Sequence, residues 1–243
     1  GVPQKVFVWA VKKGFAHKAD FFVYSRTAMV SITFQPTTEN IILFVGGGEV
    51  AERRMQLFIE EPCQIVVIAP TVTDTISQWA KENRITWCDR AFTMDDEEHI
   101  ISSSLLFICT DNHELNDTLY ELGKKHRVWT NRSDDPSACS FTVPSSLELG
   151  DLHIAISANN VGPRINRLVR QDMMNRYGQL QKAMPRLKIF REEVKLLLPT
   201  PEARQKFWRD NLTVETFEAI LKGEWTIIEE KLNHAISGIR SKS

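Results

Sequence analysis

The 243-residue chain has little of what would mark a secreted, metal-binding or membrane-embedded protein. Its four cysteines, Cys63, Cys88, Cys109 and Cys139, stand far apart and form no C-x-x-C pair. The six histidines make no H-E-x-x-H run and no cluster with the cysteines. A disulfide scaffold and a preformed zinc site are thus disfavoured, and a reduced, cytoplasmic setting fits the thiols better. No apolar run approaches the roughly 20 residues that a membrane-spanning helix needs. Neither sign of charge dominates: 30 Lys+Arg stand against 31 Asp+Glu, a formal net charge of -1. This balance argues neither for a nucleic-acid partner, which calls for a basic excess, nor for a strongly acidic solvating chain, and it leaves room for local basic clusters. There is no internal repeat and no low-complexity segment.

What is present begins awkwardly. From Val2 to Phe34 the chain is aromatic and basic, with Asp20 its only acid. Residues 1–27 are therefore set apart as an extension: a processed leader, an upstream segment or one added for expression. A secretory signal is disfavoured, because the apolar stretch Val6 to Val11 is very short and Lys12-Lys13 follow at once.

Regular alternation starts near residue 40. Ile41 to Val45 (IILFV) is a continuous apolar run, as a strand buried on both faces requires. After Gly46-Gly47-Gly48, the spacing of Ala51, Met55, Phe58 and Ile59 predicts a helix over 49–61, ended by Pro62. Strands are expected at Gln64 to Ala69, Ile85 to Trp87, Leu105 to Cys109 and Arg127 to Thr130, with helices over 74–83 and 114–125 between them. This order predicts an α/β fold with a doubly wound, Rossmann-type parallel sheet. Beyond Asn131 come turn chemistry, a further strand at Leu152 to Ser157, the loop Asn159 to Pro163 and a helix beginning there. A charged, helical region follows, in which Pro185, Pro199 and Pro201 are expected to mark breaks. The expected division is a Rossmann domain over 28–138, a dimerisation region over 139–171 and a helical domain over 172–243.

Gly46-Gly47-Gly48-Glu49-Val50-Ala51 matches G-x-G-x-x-A between a strand and a helix. Gly46 permits the turn, Gly48 lets a pyrophosphate approach the backbone, and Ala51 lets helix and strand pack closely. The first amides of the helix, from Glu49 and Val50, face the phosphates. The acid that usually holds the adenosine ribose after the second strand is missing. That position reads Ala69-Pro70-Thr71, so Thr71 or backbone groups take its place. No arginine stands there for a 2′-phosphate, which favours NAD over NADP. Thr110 and Asp111, after the LLFIC strand, complete the expected cofactor edge.

Several further runs carry a resemblance. Gly46 to Arg54 (GGGEVAERR), Val67 to Pro70 (VIAP), Thr110 to Asn116 (TDNHELN), Asn131 to Phe141 (NRSDDPSACSF) and Leu152 to Ser157 are similar, in this order, to the precorrin-2 dehydrogenases of sirohaem synthesis. The likeness covers roughly residues 38 to 175. It implies a homodimer with a Rossmann domain, a small dimerisation region and a helical domain. The implied reaction is NAD-dependent oxidation of the acidic tetrapyrrole precorrin-2 to sirohydrochlorin. Some members also insert ferrous iron, which leaves a bifunctional enzyme as the alternative.

In that family an N-V-V-D acid serves both chemistries, and it falls on Asp134 here. The two central residues differ, reading Arg132 and Ser133. A carboxylate near the nicotinamide can act as general base; an Asp before Pro136 can equally do no more than cap a turn. Asn131, Arg164 and Arg167 are the candidate substrate contacts. Arg164, Arg167 and Arg170 share much of a helix face and would grip carboxylates, although a solvated face or dimer contacts explain them as well. Metal ligands are not assigned, since His113 and His153 are lone histidines. A NAD-sensing module without catalysis ranks below both enzyme readings, because such sensors usually keep the ribose acid.

Overall fold

The structure is a computed structural model, and it describes residues 30–158 and 162–241. The extension at 1–27 and the loop residues Asn159 to Val161 lie outside the described residues. Every element below lies within residues 35–241.

Five parallel strands make the main sheet: β1 (Ile41–Val45), β2 (Gln64–Ile68), β3 (Thr86–Cys88), β4 (Leu105–Ile108) and β5 (Trp129–Arg132), in the order β3-β2-β1-β4-β5. Ile42 stands opposite both Ile65 and Leu105, and Ile108 opposite Arg132. Alternation along each strand divides the apolar residues between two cores. On one face Ile42, Phe44, Val67 and Phe107 meet Ala51 and Met55 of helix α1 (Glu49–Met55) and Ile76 and Trp79 of α2 (Asp74–Lys81). On the other, Leu43, Val45, Leu106 and Ile108 meet Ile100 of α3 (Glu97–Ser102) and Leu119 and Leu122 of α4 (His113–His126). The rings of Phe44 and Phe107 stack at 4.7 Å, and each such side chain, fully buried, contributes about 1.5–3 kcal/mol. The doubly wound sheet expected from sequence is present.

Local details depart from the expected boundaries. The helix expected to reach residue 61 stops at Met55, and tight turns (Phe58 N–H to Met55 O, Glu61 N–H to Phe58 O) carry the chain to β2. The fifth strand begins two residues later than expected. Arg127 adopts the left-handed conformation (φ 60°) as the C-cap of α4, which moves Asn131 and Arg132 into the strand. The strand at Leu152–Ile156 (β7) pairs antiparallel with Ser145–Leu149 (β6), which the sequence reading did not find. Their turn uses Gly150 at φ 65°.

Helices α5 (Pro163–Tyr177), α6 (Leu180–Leu197), α7 (Pro201–Asn211), α8 (Val214–Leu221) and α9 (Trp225–Arg240) follow. Phe190, Val194, Phe207, Leu232 and Ile236 build their own core. Pro185, expected at a break, lies inside α6. It withholds an N–H from Gln181 O, next to which the Gly150 turn packs. Pro199 does fall between helices, and Pro201 opens α7. Among the described residues no helix is long and apolar enough to cross a membrane.

Candidate active site

The strand order reverses beside β1, so the loops after β1 and β4 part there and leave a crevice at their carboxyl ends. Gly46 has φ 104°, and a Cβ added to it would lie 2.3 Å from Cys109 O, so the turn is pressed against the end of β4. At Gly47 the added atom would meet Val72 and Thr71 O at 2.5 and 2.7 Å. Around Gly48 it would meet nothing within 4 Å. Gly48 is also the N-cap of α1 and offers no side-chain acceptor to the first amides. An open, side-chain-free patch beside uncapped N–H groups fits the pyrophosphate of a dinucleotide. Glu49 and Val50 stand in that first turn, both exposed.

The ribose position is answered in part. Ala69 is buried, its N–H donates to Cys88 O at 3.2 Å, and its carbonyl accepts from the Trp87 indole at 2.9 Å. Pro70 has no N–H. Thr71 is exposed, and its hydroxyl makes no hydrogen bond among the described residues. Thr71 is therefore the group left free to meet a ribose hydroxyl.

Asp134 sits just beyond β5. Arg132 Nε donates to its Oδ1 at 2.7 Å and Nη2 to its Oδ2 at 3.1 Å. Asn116 Nδ2 donates to the same Oδ2 at 3.1 Å, and His113 Nδ1 lies 2.8 Å from it. Asn116 is fully buried; its amide also donates to Thr110 O at 3.0 Å while its oxygen accepts from the Thr110 hydroxyl. One side chain thus ties the loop after β4 to the loop after β5. Asp111, at the tip between them, is exposed. The Arg132 guanidinium beside Asp134 holds its carboxyl well below the usual carboxylate range, with Asn116 and His113 adding to the effect against the cost of desolvation. At neutral pH the group is an anion with little affinity for a proton.

Asp134 thus joins Gly46, Gly48 and Thr110 along the carboxyl edge of the sheet. Asn131 is 4% exposed, and its amide donates to Phe141 O at 3.0 Å. That bond holds the segment after β5 against the sheet, where Phe141 packs edge-on to Phe107. Arg164 and Arg167 are exposed on α5, which packs on β6 and β7, and they pair with no acid among the described residues. The same holds for Arg170. His153 lies 3.9 Å from Glu148 across the hairpin. Among the described residues no three His, Cys, Asp or Glu side chains are grouped to hold a metal ion.

The sequence offers Arg132 only as a departure from a pattern and His113 only as a lone histidine. A usable signal existed: His113, Asn116 and Asp117 fall at i, i+3 and i+4 and so share a helix face.

Two family models match the chain. The one described as "Putative NAD(P)-binding" matches residues 33–145, and the one described as "Sirohaem synthase dimerisation region" matches residues 176–236. The second lies largely within the helical region, carboxyl-terminal to the 139–171 segment. A sirohaem synthase of Pseudoalteromonas atlantica is 29% identical over 84% of this chain and 44% of its own length. One from Nitrosococcus oceani is 30% identical over 81% of this chain and 42% of its own. One from Salmonella schwarzengrund is 31% identical over 68% of this chain and 36% of its own. The chain therefore spans less than half the length of these relatives. A solved structure, "SirC, precorrin-2 dehydrogenase", aligns with a TM-score of 0.65 and 18% identity, covering 83% of this chain and all of that one. That likeness is one of fold.

Proposed function

We propose that this chain, which resembles the sirohaem synthases and shares the fold of a precorrin-2 dehydrogenase, oxidises precorrin-2 to sirohydrochlorin with NAD as hydride acceptor. The observation that carries the reading is the meeting, at one edge of the sheet, of a side-chain-free glycine turn and a fixed carboxylate.

NAD, when bound, would supply the acceptor for a hydride from a ring carbon. The second hydrogen leaves as a proton, so the substrate loses two protons and two electrons. Gly46, Gly48 and the amides of Glu49 and Val50 would hold the pyrophosphate, Ala69 and Pro70 would wall the adenosine side, and Thr71 would meet the ribose. Thr110 and Asp111 line the gap between the β4 and β5 loops. Asp134 faces the charge that develops as hydride leaves. Its low proton affinity makes it a stabiliser of that cation more than a strong general base, and solvent takes the proton. Asn131 acts from behind by holding the segment after β5. Arg164 and Arg167 stay our candidates for gripping substrate carboxylates. The division at about 138 and 171, a homodimer built around 139–171, and a cytoplasmic setting complete the reading. Ferrous iron insertion is the alternative second activity.

The test is anaerobic incubation with fresh precorrin-2 and NAD, following NADH and the tetrapyrrole spectrum together. NADH and sirohydrochlorin should grow in step. Asp134→Asn should keep NAD binding and lose on the order of 100-fold or more in turnover. Near-wild-type oxidation by that variant removes Asp134 from the mechanism, and no NADH from the wild type removes the dehydrogenase.

A further inference from the structure

Asp134 does not act alone. Arg132, 8% exposed, spans both of its oxygens, and its remaining nitrogen, Nη1, goes to Asp117 on α4. A buried guanidinium held between two carboxylates does not swing away, because leaving Asp134 would strand a charge in a poorly hydrated place. Oδ2 is saturated, with Arg132 Nη2, Asn116 Nδ2 and His113 Nδ1 all within 3.1 Å. Oδ1 carries Arg132 Nε and is the oxygen with room for another donor.

We propose that Arg132 is a positioning residue that makes Asp134 a permanently charged acceptor of one orientation, fit to receive a pyrrole N–H or face a cation, and unfit to collect protons or ligate a divalent metal. The proposal rests on the dehydrogenase reading for its catalytic half and goes beyond it by separating the two chemistries. Metal insertion into a tetrapyrrole releases two N–H protons and brings in a dication. A carboxylate gripped by a guanidinium is a poor sink for the first and a poor ligand for the second, since the dication would have to approach a fixed positive charge.

Charged and polar neighbours surround Asp134. From β5 comes Arg132; from α4 come His113, Asn116 and Asp117; from the following loop come Asp135 and Cys139, both close enough to Arg132 to interact with its charge. Asp117 and Asp135 add negative charge, which by itself would favour a proton on Asp134. The two-pronged contact outweighs them, and the Asp134 carboxyl lies well below its ordinary range.

The experiment is a carbon-13 NMR titration of the aspartate carboxyls in the full chain, as wild type, Arg132→Gln and Arg132→Lys, with Asp134→Asn to assign the resonance. Wild-type Asp134 should stay ionised down to the acid limit of folding. In Arg132→Gln its midpoint should rise by about 1–3 pH units, and in Arg132→Lys, which keeps the charge and loses the fork, by less. The acid limb of kcat/KM for NADH formation should move up with it, a change that a merely structural arginine would not cause. An unmoved Asp134 midpoint in both variants overturns the proposal. Should Arg132→Gln fail to fold, the Arg132→Lys titration decides alone. If the wild type forms no NADH, the dehydrogenase reading and the catalytic half of the proposal fall together, and the titration still decides the clamp.

Discussion

Within the three consecutive glycines at 46–48, the first and the last have different reasons to exist. Gly46 is bound by both conformation and contact: φ of 104° is strained for any side chain, and Cys109 O occupies the space. Gly48 is bound by neither, since its backbone is extended and its Cβ would meet nothing. A paired experiment separates fold from cofactor. Gly46→Ala should lose about 2 kcal/mol or more, read as a lower urea midpoint. Gly48→Ala should stay within about 1 kcal/mol of wild type yet bind NAD at least ~10-fold more weakly by calorimetry. Equal NAD affinity in Gly48→Ala would remove the pyrophosphate from that patch. Beside this turn, burial pushes the Cys109 thiol up to about 12, so it is a neutral packing group here and no nucleophile.

At the scale of elements, α5 stands out because none of its residues is buried in the single chain. It nonetheless exposes Ile165, Leu168 and Met174, at 38%, 48% and 39%. It runs for 15 residues from Pro163 and packs on the β6–β7 hairpin. Isolated helices of this length are marginal in water, and packing on the hairpin leaves every residue of this one at least partly exposed. A second copy of the chain would cover that face, and this helix together with the hairpin adjoins the matched dimerisation region at 176–236. If two copies of the chain pair through this face, Leu168→Glu should shift sedimentation towards a 27.9 kDa monomer, with the helical content of each subunit largely retained. An unchanged dimer in that variant would place the interface elsewhere.

Over the whole molecule, stability should depend on acid pH through paired carboxylates. Asp96 is 2% exposed, takes two bonds from Arg90 at 2.6 and 2.5 Å and one from Thr93 N–H, and Arg90 lowers it to about 2. Its folded value lies below the unfolded one of ~3.9, so its contribution is complete above the unfolded value and fades as pH falls through about 2. The size is about 2 kcal/mol. Asp134 adds in the same direction, since it too is lowered. Asp96→Asn should lower the thermal midpoint at pH 7 and flatten its dependence on pH between about 4 and 2. An unchanged pH profile in that variant would assign the acid sensitivity to other groups.

Much of the fold was legible in the linear chain because it rests on local pattern. Apolar runs such as IILFV and LLFIC, bounded by glycine or turn residues, place the buried strands. The Ala51–Met55 spacing places a helix directly after the glycines. Asp134 was reached through motif order. What the linear chain did not contain were outcomes that depend on neighbours distant in sequence. Strand β6 has a weak pattern and exists through its partner β7. Pro185 sits in a helix because core packing outweighs one lost hydrogen bond. The state of Asp134 follows from Arg132, two residues away and turned back onto it, and from His113 and Asn116 on a helix, 21 and 18 residues away, meeting over one carboxylate. Periodicity is carried by backbone geometry and can be read one residue at a time. The affinity of a carboxylate for a proton depends on charges and donors within a few ångströms, and folding alone brings those together.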